Sequence, residues 1–490
     1  MPTLEEIRKA RLAKLESLKR AGFLAYPSKT KRSHQVKDAL EDFDKLSRSK
    51  KEIVVAGRLM SQRGHGKLFF GHIQDGQGKI QILFRQNLLG ENKYEFITDH
   101  FDIGDIIEAK GILFKTKTGE KTLEASDAKI LAKSLLPLPE KWHGLTDVEE
   151  RFRKRYLDTL MNPEVKDIFL KKSQLIKLLR EYLDQKNFIE VKTPALQPLY
   201  GGASAKPFKT HHNSLDIDLY LRISNELYLK RLIVGGFEKV FEICTDFRNE
   251  GVDRWHNPEF SMLEFYWAYA DYKDLMKMTE EMLSGIVKKI TGSYKIKYGH
   301  DKIDFTPPWP RVPYLEAFRK ATGVNLPDIT FEGLKKIIGK KKFKIDLKNV
   351  IDLPTLVDQI YKTLIRPNII NPVFLIDHPY NMRPLAKKKK EDESLVESLH
   401  LIAGGIELVN AYSELNDPLD QKARWLEEMQ RGKKGADEYQ VLDEDYIEAL
   451  EYGMPPTAGW GMGIDRFCAL ITNQHSIKET ILFPAMRPKS

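Results

Sequence analysis

Between Glu52 and Ala132 the chain breaks into short apolar runs divided by glycine turns: IVVAGRLMSQ, KLFFGHIQDGQGKIQILF, DIIEAKGILFKT and EKTLEASDAKILA. β-Branched and aromatic residues alternate with polar ones in each run, the pattern of half-buried strands. Five or so strands in about ninety residues predict a small Greek-key barrel of the OB type. Such barrels bind single-stranded nucleic acid through outward aromatic rings and polar groups. Adjacent strand residues point to opposite faces, so one of Phe69 and Phe70 faces inward and the other can face outward. Phe70 is the expected base-stacking ring, with Arg58 and Gln81 on neighbouring strands as hydrogen-bonding partners.

At 490 residues the chain is too long for one core and predicts two or three domains. No apolar run approaches the roughly twenty residues of a membrane span, and MPTLEEIRKARLAKLESLKR has no apolar stretch to serve as a signal. Two cysteines, Cys244 and Cys468, are too few for a disulfide framework. Together these predict a cytoplasmic protein. A net charge of +9 favours polyanions but is also compatible with solubility alone. Residues 1–48 are basic, with Leu4, Ile7, Leu12, Leu15 and Leu18 near helical spacing and Arg8, Lys9, Arg11, Lys14, Lys19 and Arg20 between them. This stretch reads either as an arm that lies on phosphates or as the solvated face of a packed helix. Residues 49–134 hold the barrel, 135–160 read as a linker, and 161–490 alternate helices and strands without a repeat. The charge-rich runs LAKKKKEDES and MQRGKKGADEYQ read as solvated surface loops.

Four stretches of the large segment carry chemistry. In KVFEICTDFRNEGVDRWHNPEFSMLEFYWAYADY two strand-like runs flank a charged loop. Residues two apart on a strand share a face, so Arg248 and Glu250 are expected to project together. An arginine fork matches phosphate oxygens, the glutamate can accept from an amino group, and Phe260 can stack on a planar base. Arg254, Trp255 and His256 are placed to close over a phosphate tail. In TAGWGMGIDRFCALI, alternating Gly459, Gly461 and Gly463 clear room for a ligand or another backbone. Arg466 follows where strand hands over to helix, and can lie against a purine opposite Phe260 or reach a terminal phosphate. In LIAGGIELVNAYSELNDP simple alternation puts Glu407, Val409 and Ala411 on one face and Leu408, Asn410, Tyr412 and Glu414 on the other. A buried, paired Glu407 suits magnesium shared with substrate phosphates, and Glu414 suits a cationic group. In FIEVKTPALQPLYGGASAKPF a strand is expected to end at Pro194, as at a sheet edge or subunit contact, and Gly201–Gly202 make a tight turn that admits a small substrate. A salt-bridged surface hairpin or a close-packed glycine strand explains each of the first two stretches taken singly.

The proline-ended strand, the R-x-E hairpin and the G-x-G-x-G-x-D-R strand–helix, in that order along the chain, resemble the three signatures of the class II aminoacyl-tRNA synthetases. The N-terminal barrel places the chain beside the lysine, aspartate and asparagine members. SNELYLKRLIVGGFEKVFEI, HNPEFSMLEFYWAYADY and NAYSELNDP are similar to the lysine-specific ones, and the resemblance runs from about Gly57 to Pro488. It implies an α+β multidomain protein: an OB-fold barrel followed by a catalytic antiparallel sheet flanked by helices, assembled as a homodimer built partly on the motif containing Pro194. It implies activation of L-lysine by ATP with Mg2+, then transfer to tRNA(Lys). On the matching positions, Arg248 and Arg466 would be catalytic. ATP would be held by Arg248, Glu250, His256, Phe260, Glu407 and Arg466. Gly202, Glu226, Glu264, Tyr266, Asn410, Tyr412 and Glu414 would line the lysine pocket. Glu414 with Tyr266 would take the side-chain ammonium and Glu226 the α-amino group. Arg58, Phe70 and Gln81 would read the anticodon.

Three positions depart from the family pattern. His400 stands where an acidic metal ligand is usual, seven residues before Glu407, and neutral histidine suits magnesium poorly. It is retained with Glu407 as a metal-ligand candidate, and the number of ions stays open. Trp255 stands where bacterial relatives often carry arginine, and YNMRPLA replaces an EVSPLA-like run. Three competing readings are an aspartyl or asparaginyl enzyme, a barrel-less lysyl-adenylate-forming protein modifier, and an OB-fold nucleic-acid-binding protein with an inactive synthetase domain. A pocket with three glutamates opposes the first, the barrel the second, and the presence of both Arg248 and Arg466 the third.

Overall fold

A computed structural model of the chain describes residues 2–139, 145, 147–347, 350–433 and 440–488. Two compact units, Met1–Gly144 and Leu145–Ser490, divide it. The linker expected over 135–160 falls partly on residues 140–144 and 146, outside the described residues.

In the first unit β1 (Ile53–His65), β2 (Leu68–Gln74), β3 (Lys79–Arg85), β4 (Ile106–Lys115) and β5 (Lys121–Ala132) close into a barrel in the order β1-β2-β3-β5-β4. Inward residues such as Val55, Leu59, Phe69, Ile73, Ile82, Phe84, Ala109 and Leu123 form its core. Phe69 is buried while Phe70 is only half-buried, as period-two alternation requires. The N-terminal helix α1 (Leu4–Arg20) is no free arm: Leu15 and Leu18 join the barrel core. Arg11, expected among the arm's free cations, is buried, and its guanidinium donates to the carbonyls of Ser134 (3.0 Å), Leu136 (3.0 Å) and Ile103 (2.9 Å). Arg8, Lys9 and Arg20 remain exposed.

The second unit adds β6 (Ile189–Glu190), β7 (Leu196–Gln197), β8 (Lys209–His212), β9 (Ile217–Leu221), β10 (Lys239–Phe247) and β11 (Glu259–Ala268). It continues with β12 (Lys295–Tyr298), β13 (Asp301–Asp304), β14 (Arg311–Pro313), β15 (Val373–Ile376), β16 (Ser398–Ala403), β17 (Ile406–Ser413) and β18 (Thr457–Gly463). Eight of these form one sheet in the order β14-β15-β16-β17-β18-β11-β10-β6, antiparallel except at its two edges. The edge strand β6 ends at Glu190, and Pro194 lies exposed beyond it rather than at the strand's end.

Alternation splits this sheet into two faces. Leu263 and Phe265 of β11, Trp460 and Met462 of β18, and Val409 and Ala411 of β17 pack into one core with the helices Pro163–Gln185 and Tyr272–Thr291. Trp460 stacks on Phe265 at 4.8 Å between centroids and donates its indole N–H to Thr279 Oγ1 at 2.9 Å. The intervening residues therefore face away from that core. They are Met262, Glu264 and Tyr266 on β11, the three glycines on β18, and Asn410 and Tyr412 on β17.

Candidate active site

On that second face the β18 glycines form a gap flanked by polar side chains. Gly459 pairs with Tyr266 on one side and Tyr412 on the other, and Gly461 pairs with Glu264 and Asn410. A Cβ on Gly459 would lie 1.9 Å from Glu414 Oε1 and 2.5 Å from the Tyr266 ring. The glycine is thus the space that the Glu414 carboxylate occupies.

Two cavities open here, and Arg248, Met262, Asn410 and Gly461 line both. The first, about 180 Å³, is lined by Arg248, Glu250, His256, Phe260, Glu407 and Arg466, the six residues expected around ATP. The second, about 260 Å³, is lined by Gly202, Glu226, Glu264, Tyr266, Asn410, Tyr412 and Glu414, the seven expected around lysine.

Local structure places these groups by routes that alternation alone does not give. β10 ends at Phe247, so Arg248 and Glu250 sit in the following loop and share a cavity without sharing a strand face. Arg248 stacks over the Phe260 ring at 5.1 Å. In the loop, Asp253 accepts from the backbone N–H groups of Trp255 (2.6 Å) and His256 (2.9 Å) and from His256 Nδ1 (2.8 Å). Burial pushes the Asp253 carboxyl up, but these donors outweigh it and leave it below the usual range. His256 Nε2 in turn lies 3.3 Å from Arg466 Nη2. Arg254 is exposed and lines neither cavity, contrary to its expected place over a phosphate tail.

A β-bulge corrects the expected faces of β17. His400 pairs with Asn410 and Ile402 with Glu407, so the two partners lie three apart instead of two, with the register shift between Leu401 and Ile402. The extra residue rotates Glu407 onto the face of Asn410 and Tyr412. Glu407 is half-buried and accepts from Tyr361 Oη at 3.1 Å. Tyr361 belongs to a π-helical turn, Tyr361–Ile365, a feature with no clear sequence signature.

His400 is placed poorly for a metal. Its Nε2 faces the Arg383 guanidinium, and its Nδ1 lies 3.4 Å from Glu407 and 3.5 Å from Tyr361 Oη. Burial, then Arg383, push its basicity well below the ordinary histidine range. With Arg383 donating to Nε2, the nitrogen that would bind an ion is already used. Among the described residues there is no group of three metal-ligating side chains. Glu407 alone fits magnesium whose remaining ligands are phosphate oxygens and water.

Behind the carboxylates that line the acidic cavity lies a cation that sequence reading missed. Lys230 is fully buried, its ammonium 2.5 Å from Glu226 Oε1 and ion-paired with Glu414. Tyr412 Oη donates to the same Glu226 oxygen at 2.8 Å. Glu264 accepts from Ser224 Oγ (3.1 Å) and Tyr266 Oη (3.2 Å). Gly202 has φ +81°, and a Cβ there would lie 3.0 Å from both Glu226 Cβ and Ser224 Oγ. Spacing of i, i+4 between Glu226 and Lys230 on one helix was the available signal for this pair. The LAKKKKEDES run, expected as a solvated loop, is exposed over 390–394, but its first half packs inward: Leu385 lines the cavity, Ala386 bridges to Glu414, Lys389 pairs with Asp377 at 2.5 Å, and Lys387 donates to Asn416 at 2.6 Å. Half of MQRGKKGADEYQ, residues 434–439, lies outside the described residues, and 429–433 close the helix Pro418–Lys433 instead of forming the expected loop.

On the barrel, Phe70, Arg58 and Gln81 lie on one face of three adjacent strands, since Arg58 pairs with Gln74 and Gln81 with His72. Arg58 Nη1 donates to the Gly104 carbonyl at 2.7 Å. Both ends of the Gln81 amide are engaged, donating to Glu120 and accepting from Thr122, each at 2.8 Å.

Comparison with known proteins agrees with this architecture. Residues 147–487 match the family described as tRNA synthetases class II (D, K and N), and residues 53–131 match the OB-fold nucleic acid binding domain. The chain is 49% identical to a protein named lysine–tRNA ligase from Carboxydothermus hydrogenoformans, over 99% of both chains. It is 48% identical to proteins of the same name from Pelotomaculum thermopropionicum, covering 99% of this chain and 96% of that one, and from a Roseiflexus species, covering 99% of each. With a matching family over the whole larger unit and such identity along nearly all of its length, the chain belongs to the class II tRNA synthetases of the aspartate, lysine and asparagine group.

Proposed function

We propose that this chain is a lysine–tRNA ligase, and that the observation carrying the reading is the trio of buried carboxylates, Glu226, Glu264 and Glu414, beside an arginine-lined cleft. An aspartate side chain would need a cation in that cavity, whereas a lysine ammonium needs an anion. Leaving an ammonium unpaired in a buried site costs several kcal/mol, so the sign of the pocket decides the substrate.

In the first step the lysine carboxylate attacks the α-phosphorus of ATP and pyrophosphate leaves. Arg248, which borders both cavities, is suited to neutralise the α-phosphate and to orient the attacking carboxylate. Glu250 can accept from the adenine amino group, and Phe260 and Arg466 can enclose the base. His256, tied to Asp253, reaches toward the outer phosphates. Glu407 would hold magnesium, whose contribution when bound is to offset phosphate charge. In the second step a terminal ribose hydroxyl of tRNA attacks the adenylate carbonyl and AMP leaves. No protein nucleophile is required. Glu414 with Tyr266 would hold the substrate's side-chain ammonium, and Glu226 its α-amino group. We also assign this chain to homodimers, which the exposed edge residue Ile189 supports, and to the cytoplasm; no described helix is long and apolar enough to cross a membrane.

Pyrophosphate exchange into ATP, run with each of the twenty amino acids, tests the reading. Lysine alone should support exchange; support by aspartate or asparagine, or by none, overturns it. For the barrel, Phe70→Ala is expected to weaken aminoacylation by about 1–3 kcal/mol of base stacking while leaving lysine-dependent exchange unchanged. Equal loss in both assays would count against an anticodon role for Phe70.

A further inference from the structure

The amino-acid cavity has an uneven charge count. Glu226, Glu264 and Glu414 are 6%, 5% and 1% exposed, and Lys230 is 0% exposed. Lys230 donates to Glu226 and is ion-paired with Glu414 through Oε2, yet neither Glu414 oxygen has a hydrogen-bond partner. The rings of Tyr266 and Tyr412 stand 5.9 and 5.7 Å from the Lys230 ammonium and fix its position between the two acids. Three carboxylates thus line the cavity, and one resident ammonium behind it touches two of them, Glu226 and Glu414. Lysine brings two more, its α-amino and ε-amino groups, and its own carboxylate can face Arg248. The count closes at three against three only with the substrate in place.

We propose that Lys230 is a positioning residue of the amino-acid cavity, a resident third ammonium that holds Glu226 and Glu414 and leaves charge for two more, so that lysine enters with release of protons. The proposal rests on the lysine reading above. Its chemistry is direct: carboxyl groups that share too few cations keep protons, and an arriving ammonium displaces them to solvent. Burial pushes the Glu414 carboxyl well up, with Lys230 opposing and Glu226 adding to it. Burial, then Asp246 and Glu226, do the same for Glu264. Lys230 itself stays charged, because Glu226 and Glu414 more than offset its burial. The other charged or titratable groups around the site include Tyr446 beside Lys230, Arg248 and Arg383 in the wall, Cys244 and Glu242 near Glu264 and Asp246, and Asp246 itself, whose carboxyl burial raises to about 6 against Arg248 and Arg222.

Titration calorimetry of lysine into the full-length protein at pH 7, in buffers of different ionisation enthalpy, reads the count. About one proton should leave per lysine bound, and the Kd should weaken by about tenfold per pH unit as pH falls through the raised carboxyl range, one proton being linked. Lys230→Met removes the resident cation from the empty and the filled pocket alike, so the number of protons released should stay near one, while the pocket carboxyls hold their protons to higher pH and the break in the pH profile of the Kd should move upward. Lys230→Arg keeps the charge and should leave the break near the parent value. A purely structural lysine would change affinity without moving that break. Lysine binding with no proton release in the parent protein overturns the proposal, as does an unmoved break in Lys230→Met. Absence of lysine binding altogether overturns the lysine reading and this proposal with it. Should Lys230→Met not fold, the parent count and the pH dependence of its Kd decide alone.

Discussion

Arg248→Ala is expected to abolish measurable lysine-dependent exchange of pyrophosphate into ATP, a loss of roughly a hundredfold to a thousandfold, about 3–4 kcal/mol. Among the described residues Arg248 is the only arginine on the wall common to both cavities. It can therefore meet a carboxylate coming from the acidic side and a phosphate held on the other. Charge develops on the α-phosphate oxygens as the carboxylate attacks, and an arginine fixed beforehand meets that charge without reorganising. It is fixed here by stacking on Phe260 and by a long contact, 3.4 Å, to the Ile223 carbonyl. Neither support is strong, so removing the side chain should disturb the fold little. Arg248→Lys keeps the charge and loses the planar fork, and should recover only part of the rate. tRNA binding measured separately should be unchanged in both variants. Exchange at the parent rate in Arg248→Ala would refute the assigned role.

The parts of this site that were legible in the sequence are those governed by period two. Phe69 in and Phe70 half out, the open glycine row of β18, and the split of β11 into Phe265 toward the core and Glu264 and Tyr266 toward the cavity all follow from alternation. Alternation failed where the backbone departs from it. The bulge on β17 carries Glu407 to the other face, and β10 stops before Arg248. Such local irregularities leave no periodic trace because one extra or one missing residue shifts the pattern only beyond that point. Buried charges were the other blind spot. Lys230, Arg11, Lys387 and Lys389 are hydrophilic letters that the fold pairs internally, and composition places them on the surface. The Arg383–His400 contact belongs to the same class: both lie in stretches that depart from the family pattern, but nothing in the sequence shows that these two residues 17 apart meet.

Gly459→Ala is expected to raise the lysine KM by at least about a hundredfold, near 3 kcal/mol, with the ATP KM within a few-fold of the parent. One methyl group has this effect because of what stands in its way. The new Cβ would sit 1.9 Å from Glu414 Oε1, 3.0 Å from Glu414 Cδ and 2.5 Å from Tyr266 Cε1. The tyrosine is a buried ring with its hydroxyl tied to Glu264, so it cannot swing away cheaply. Glu414 must then give up its place, and it is the carboxylate assigned to the substrate's side-chain ammonium. Overpacking should also cost about 1–3 kcal/mol of stability, which thermal unfolding would register. Gly463→Ala separates the two effects on the same strand. There the nearest atom to an added Cβ is Arg466 Cδ at 3.8 Å, an ordinary contact, and its backbone angles of −72° and 105° suit any residue. Gly461→Ala is tight against the Met262 methyl alone, at 3.1 Å, with Glu264 Cγ at an ordinary 3.5 Å, and the end of a methionine can move. The lysine KM should therefore rise steeply for position 459, slightly for 461 and hardly at all for 463. A uniform rise across the three would mean that strand stiffness, and not the Glu414 carboxylate, sets the affinity for lysine.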